Sequence, residues 1–140
     1  MFNNLTDLQL ILRSIHFDCK ALHKILQNSP RLESLVFDEG VRLSTSFVKD
    51  DRLLDPVPPC FLSHLKCIKV YNFDGNKDQL YVMKILLKNA TVLDKMVITS
   101  RVHVGRLGLK KKVRKQLLKL PRGSMSCTVV FCEEISLFDL

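Results

Sequence analysis

The sequence predicts an α/β fold: a short, curved parallel sheet with helices along its convex side. Three observations predict it. A Leu-x-x-Leu-x-Leu phrase, with conservative replacements, recurs four times. The phrases start at residues 5, 32, 65 and 93, and spacings of 27, 33 and 28 residues are typical of a stacked repeat architecture. Between the phrases, the hydrophobic period changes from that of a strand to that of a helix.

Each phrase is predicted to form a short strand that buries its leucine-type residues. The four phrases are Leu5/Leu8/Leu10, Leu32/Leu35/Phe37, Leu65/Ile68/Val70 and Leu93/Met96/Ile98. A fifth strand is predicted over residues 126–132, where the phrase is degenerate but the segment Thr-Val-Val-Phe has high β propensity.

Three apolar stripes at helical spacing predict helices over residues 19–28, 77–90 and 107–119. Asp18 precedes the first helix as a candidate N-cap. Asn76 followed by Gln79 resembles a capping box at the start of the second. The third stripe is apolar at every fourth position, and its remaining residues are mostly basic.

Strands joined by helical crossovers form a parallel sheet. Residues 5–37 and 65–98 are variants of one strand–helix–strand design, which favours a curved β/α solenoid. An ordinary α/β layer of about five strands makes most of the same contacts and stays as the alternative. Residues 40–59 are rich in acids and prolines and are predicted to be an irregular loop.

The positive charge of the chain is concentrated in one segment. The 140 residues carry a net charge of +8, yet residues 101–123 hold nine basic residues and no acid, so the remainder is close to neutral. Phosphate binding, an acidic protein surface and the solvated side of an amphipathic helix all fit this pattern. No Phe, Tyr or Trp interrupts the run to stack on bases. The predicted basic patch consists of Arg106, Lys110, Lys111, Lys112, Arg114 and Lys115.

Catalytic, metal and cofactor motifs are missing from the sequence. The five cysteines form no Cys-x-x-Cys pair, the four histidines are isolated, and no phosphate-binding glycine loop occurs. No stretch approaches the roughly 20 apolar residues of a membrane span, and no secretory signal is evident. We therefore expect a non-enzymatic protein with no metal, cofactor or membrane partner, located in the nucleus or cytoplasm with reduced cysteines.

The strand positions between the buried leucines are the candidate partner-binding surface. Their side chains alternate with the leucines and so lie on the opposite face of the sheet. The alternative is that other parts of the same protein cover this face. The predicted contact residues are Asp7, Gln9, Val36, Asp38, Lys69, Tyr71, Val97 and Thr99.

Several segments of the chain resemble a known family. Residues 57–70, beginning Val-Pro-Pro-Cys-Phe-Leu, continue through Asp74-Gly75 to residues 83–98 and end in the segment 120–131, Leu-Pro-Arg-Gly-Ser-Met-Ser-Cys-Thr-Val-Val-Phe. Together they resemble the FBD domain of plant F-box/LRR-repeat proteins over about residues 56–132. Residues 26–37 look like the last leucine-rich repeat before such a domain.

The resemblance implies a sheet of leucine-rich-repeat type. It also implies two parts: a partial repeat region over residues 1–55 and an FBD-like domain over residues 56–140, continuous with the repeat stack. Such proteins are substrate receptors of SCF-type ubiquitin ligases, so the implied function is the C-terminal substrate-recognition part of such a receptor, or a truncated relative. The protein target is not indicated. Because the chain contains no F-box, we expect no Skp-type adaptor to bind it. A small basic nucleic-acid-binding protein using residues 101–122 is the alternative.

Overall fold

The computed structural model describes residues 2–10, 19–38, 54–73, 75–102 and 111–135. In this part of the chain, five strands alternate with four helices. The elements are β1 Asp7–Leu10, α1 Cys19–Gln27, β2 Ser34–Phe37, α2 Pro59–Ser63, β3 Cys67–Val70, α3 Lys77–Asn89, β4 Lys95–Val102, α4 Lys111–Leu118 and β5 Thr128–Ile135.

The five strands form one parallel sheet in the order β1-β2-β3-β4-β5. The repeated phrases pair in register: Leu8 lies beside Leu35, Leu35 beside Ile68 and Ile68 beside Met96. The α/β class and the parallel sheet are therefore confirmed, and so is the fifth strand, with Val129 continuing the row beside Met96.

A repeated backbone contact aligns the strand beginnings. The carbonyl oxygen of Thr6 accepts from the N–H groups of Glu33 and Ser34, at 2.7 and 3.0 Å. The Glu33 oxygen accepts in the same way from residues 66 and 67, and the Lys66 oxygen from residues 94 and 95. Because these bonds do not depend on side chains, they hold the register even where the intervening residues differ in chemistry.

The core lies on one face of the sheet. The leucines that open the second, third and fourth phrases precede their strands by two residues and are fully buried, as are Leu35, Ile68 and Met96. The same cluster includes residues from all four helices, among them Leu26, Phe61 and Leu117. The four described helices therefore share this face.

The leucines of the first repeated phrase, in and before β1, are less buried than those of the later phrases. Leu5 and Leu8 are only half-buried, although their counterparts in the next three repeats are 0% exposed. The difference follows from position, because β1 pairs on one side only in the described sheet.

The helix boundaries follow local signals. The Asn76 side chain accepts a 2.8 Å hydrogen bond from the Gln79 N–H and caps α3, as predicted. Helix α1 ends at Gln27, one residue short of the prediction. Helix α4 begins at Lys111 in the described residues, and both Leu109 and the candidate cap Asp18 lie outside them.

Helix α2 was not anticipated from the sequence. It begins with Pro59 in its first turn, where a proline costs no hydrogen bond, and it buries Cys60 and Phe61 completely. The Phe61 carbonyl accepts from the N–H of Thr91 at 3.0 Å, which ties α2 to the turn before β4. Of the predicted loop 40–59, residues 40–53 lie outside the described part of the chain.

Two side chains of α1 hold the proline segment that precedes α2. His23 Nε2 and Gln27 Nε2 lie 2.6 and 2.7 Å from the Pro56 carbonyl oxygen, and both groups can donate to it. Leu54, just before this segment, is 3% exposed. The contact joins α1 to the start of the predicted 56–140 region.

Candidate interaction surface

The sheet face opposite the helices carries the side chains that alternate with the core residues. We define the outer face as two rows read from the strand register. One row is Asp7, Ser34, Cys67, Lys95 and Thr128, and the other is Gln9, Val36, Lys69, Val97 and Val130.

The predicted contact residues fall on this face or just beyond its strands. Asp7, Gln9, Val36, Lys69 and Val97 belong to the two rows. Asp38 and Tyr71 directly follow β2 and β3, and Thr99 lies within β4, just after the part that pairs with β3.

The residues that follow the strands are held by specific contacts. Gln9 Nε2 donates to the Asp38 carboxylate at 3.4 Å, so both side chains share one side of the sheet. Asn72 adopts a left-handed backbone conformation with φ of 57°, which asparagine tolerates better than most residues. Its side-chain amide donates to the Asp38 carbonyl at 3.1 Å, which connects the ends of β2 and β3.

Exposure of the predicted contact residues varies. Asp7 and Gln9 are exposed, while the residues on the central strands are half-buried. Thr99 is only 9% exposed, so it offers little surface to a partner. The accessible residues therefore lie mainly on β1 to β3 and at Val97.

The outer face combines apolar and charged side chains. Val36, Val97 and Val130 lie in one row with Lys69 between the first two. The carboxylates of Asp7 and Asp38 lie on the β1–β2 side and the ammonium groups of Lys69 and Lys95 on the β3–β4 side, so the charge changes sign across the sheet. Such a surface fits recognition of another protein, in which apolar contact supplies affinity and charges supply specificity.

The predicted contact residues include half of the ten members of the two rows, and the other five are Ser34, Cys67, Lys95, Thr128 and Val130. Thr128 and Val130 extend these rows onto β5. The phrase is degenerate in that strand. Successive strand residues face opposite sides of the sheet, however, so placing Val129 and Phe131 on the core side would have placed Val130 on the outer face.

Part of the predicted basic patch lies on α4. Lys111, Lys112 and Lys115 are exposed and Arg114 is half-buried. The Arg114 guanidinium carbon is 5.6 Å from the centre of the Phe131 ring, so this side chain packs on β5. Arg106 and Lys110 lie outside the described residues.

Two of the described cysteines, Cys60 and Cys127, are buried. Burial raises the pKa of the Cys60 thiol to about 11, and burial also raises the pKa of Cys127. Among the described residues, no three His, Cys, Asp or Glu side chains group into a possible metal site. In the same residues, no helix is long and apolar enough to cross a membrane.

Comparisons with known proteins show what the chain is similar to. Residues 55–98 match the family described as FBD. An FBD-associated F-box protein of Arabidopsis thaliana is 32% identical over 121 residues, which cover 85% of this chain and 24% of the relative. A putative F-box/FBD/LRR-repeat protein of the same plant is 29% identical over 130 residues, covering 91% of this chain and 26% of the relative. No solved structure gave a significant match.

The chain spans about a quarter of the length of the curated relatives it matches. An aligned stretch that covers 85% of the chain includes the phrases that start at residues 32, 65 and 93 together with the FBD segment. The resemblance noted in the sequence is thus confirmed: the chain contains a segment that matches FBD, and most of its length is similar to plant F-box/FBD/LRR-repeat proteins.

Proposed function

We propose that this chain is a non-enzymatic protein-interaction module whose outer face binds a protein target. In this proposal it is the C-terminal substrate-recognition part of an SCF-type F-box/LRR receptor, or a truncated relative, acting in the nucleus or cytoplasm. The sheet continues the curvature of a leucine-rich-repeat solenoid, and the outer face is its concave side.

The observation that carries the proposal is the one-sided construction of the sheet. Parallel sheets are usually covered by helices on both faces. Here the described core residues and all four described helices share one face. The other face presents the partly exposed valines Val36, Val97 and Val130 beside charged residues. Apolar side chains at accessible strand positions favour a face that is covered when the protein acts.

The size of the outer face limits its affinity. Five strands spaced about 4.8 Å apart, with four residues of about 3.3 Å each, give an area of roughly 300 Å². A stable protein interface uses about 800 Å² on each partner. The outer face alone therefore supports weak binding, and tight binding requires additional surface, such as neighbouring repeats of a longer receptor.

The test compares two variants that change the net charge of the protein by the same amount. Lys69→Glu/Lys95→Glu alters the outer face, and Lys24→Glu/Lys88→Glu alters exposed lysines of α1 and α3 by the same total charge. Proteins cross-linked to each variant in a plant-cell extract are quantified by mass spectrometry, and circular dichroism verifies that both variants are folded.

The proposal predicts that the outer-face variant loses a defined set of cross-linked proteins that the control variant retains. Equal losses in the two variants would contradict binding through the outer face. A Skp-type adaptor that co-purified with the isolated chain would contradict the assignment to substrate recognition alone.

A further inference from the structure

We propose that the outer side of α4 binds an acidic protein segment that presents carboxylates about 6 Å apart around an apolar side chain. The contact residues form the α4 lysine row, defined as Lys111, Lys115 and Lys119 with Lys112 beside them. This surface is separate from the outer face of the sheet, and the proposal does not depend on the function proposed there.

The geometry of α4 separates its apolar and basic residues. Leu117 is fully buried and Val113 packs against the core four residues earlier. With 3.6 residues per turn, positions 111, 115 and 119 fall on the opposite side, and all three lysines are exposed. The Lys119 N–H donates to the Lys115 carbonyl at 3.1 Å, so the helical turn extends through the last lysine. Successive lysines are then about 6 Å apart along the axis.

The α4 lysine row places like charges four residues apart along one side of the helix. Like charges four residues apart destabilise a helix. No acid occurs anywhere in residues 101–123 to offset the repulsion along the sequence. Carboxylates of a partner at matching spacing would offset the repulsion between the lysines. An acidic segment would therefore bind more tightly than a neutral segment of the same shape.

The chemistry of the surrounding residues favours a protein partner over nucleic acid. Arginine is the side chain best suited to bidentate phosphate contacts, and on α4 the single arginine, Arg114, packs on the Phe131 ring. Leu118 lies next to the lysine row on the helix and is 50% exposed. An apolar residue beside lysines contributes to contact with another protein, whereas base stacking requires an aromatic platform.

The experiment measures binding of a labelled helical peptide of about 15 residues by fluorescence anisotropy. The peptide carries glutamates at every fourth position with one leucine beside them, and a matched peptide has glutamine in place of each glutamate. The protein variants are Lys111→Gln/Lys115→Gln/Lys119→Gln, Leu118→Ser, and a control, Lys24→Gln/Lys77→Gln/Lys88→Gln, which removes the same charge from exposed sites on α1 and α3. Single-stranded RNA of about 20 nucleotides is the competing probe.

We expect the glutamate peptide to bind about tenfold more weakly to the α4 triple variant than to the unaltered protein, since each exposed ion pair contributes a modest share of the affinity. The control variant should stay within about twofold, and Leu118→Ser should weaken binding severalfold through lost apolar contact.

Three outcomes would overturn the proposal. Equal weakening by the triple variant and its control would show a general effect of net charge. Tighter, α4-dependent binding of the RNA would assign the surface to nucleic acid. Failure of the glutamate peptide to bind better than the glutamine peptide would leave the lysines as a solvated helix side.

Discussion

Gly123 lies where the segment before β5 passes closest to helix α3. Its N–H donates to the Leu87 carbonyl at 2.9 Å. A Cβ atom at this position would overlap the carbonyl oxygen of Lys88 and lie 3.2 Å from its carbonyl carbon. Both of these atoms belong to the backbone of a helix, so they cannot move aside as a flexible side chain does. Gly123→Ala must therefore displace the segment that leads into β5.

The cost of Gly123→Ala has two parts. The lost hydrogen bond contributes about 1 kcal/mol, and overpacking against a rigid element contributes about 1–3 kcal/mol. We expect the free energy of unfolding to fall by about 3 kcal/mol, measured by urea denaturation followed by circular dichroism. Met125→Ala is the matched control, because Met125 is fully exposed two residues away and should change stability by less than about 0.5 kcal/mol. Equal effects of the two substitutions would refute the close contact between the loop and α3.

Substitutions in the sheet core, at a helix cap and at a buried thiol should also change stability. In the same urea assay, Ile68→Ala should lower the free energy of unfolding by about 4 kcal/mol, and Leu8→Ala should lower it by about half as much. Leu8 is half-buried, whereas Ile68 lies between two neighbouring strands of the described sheet. Equal losses would contradict the position of β1 at the end of that sheet. Asn76→Ala should cost about 1 kcal/mol through loss of the α3 cap, and Asn76→Asp should restore most of it. The Cys60 thiol keeps its proton in the folded protein up to about pH 11, whereas the unfolded chain loses it near pH 9.0. The free energy of unfolding should therefore fall as the pH rises through this interval, by about 2 kcal/mol more in the unaltered protein than in Cys60→Ala.

The repeated phrases were sufficient to predict the class of fold and four of its strands. A leucine-type residue at positions such as 35, 68 and 96 needs burial on one face, and a one-residue slip would move the whole set to solvent. The common spacing therefore determined the register as well as the strands. The cap at Asn76 was predictable because its pattern lies within four residues of sequence.

Features that depend on contacts distant in sequence were not predicted. Helix α2 has only five residues, too few to show a hydrophobic period, and the burial of Phe61 against other elements stabilises it. The placement of Arg114 over Phe131 joins residues 17 positions apart and carries no sequence pattern. Strand β4 continues to Val102, beyond its phrase, because β5 pairs with it along eight residues. Thr99, in that extension, is less accessible than the alternation suggested, and its carbonyl oxygen accepts from the N–H of Phe73 at 3.1 Å.

Methyl NMR with a soluble paramagnetic probe measures whether the outer face is open to solvent. The methyl groups of Val36, Val97 and Val130 should relax severalfold faster in the presence of the probe than those of Leu35, Ile68 and Met96, which lie in the adjacent buried row. Equal protection of the two rows would show that another part of the chain covers the outer face and would contradict its role as a binding surface.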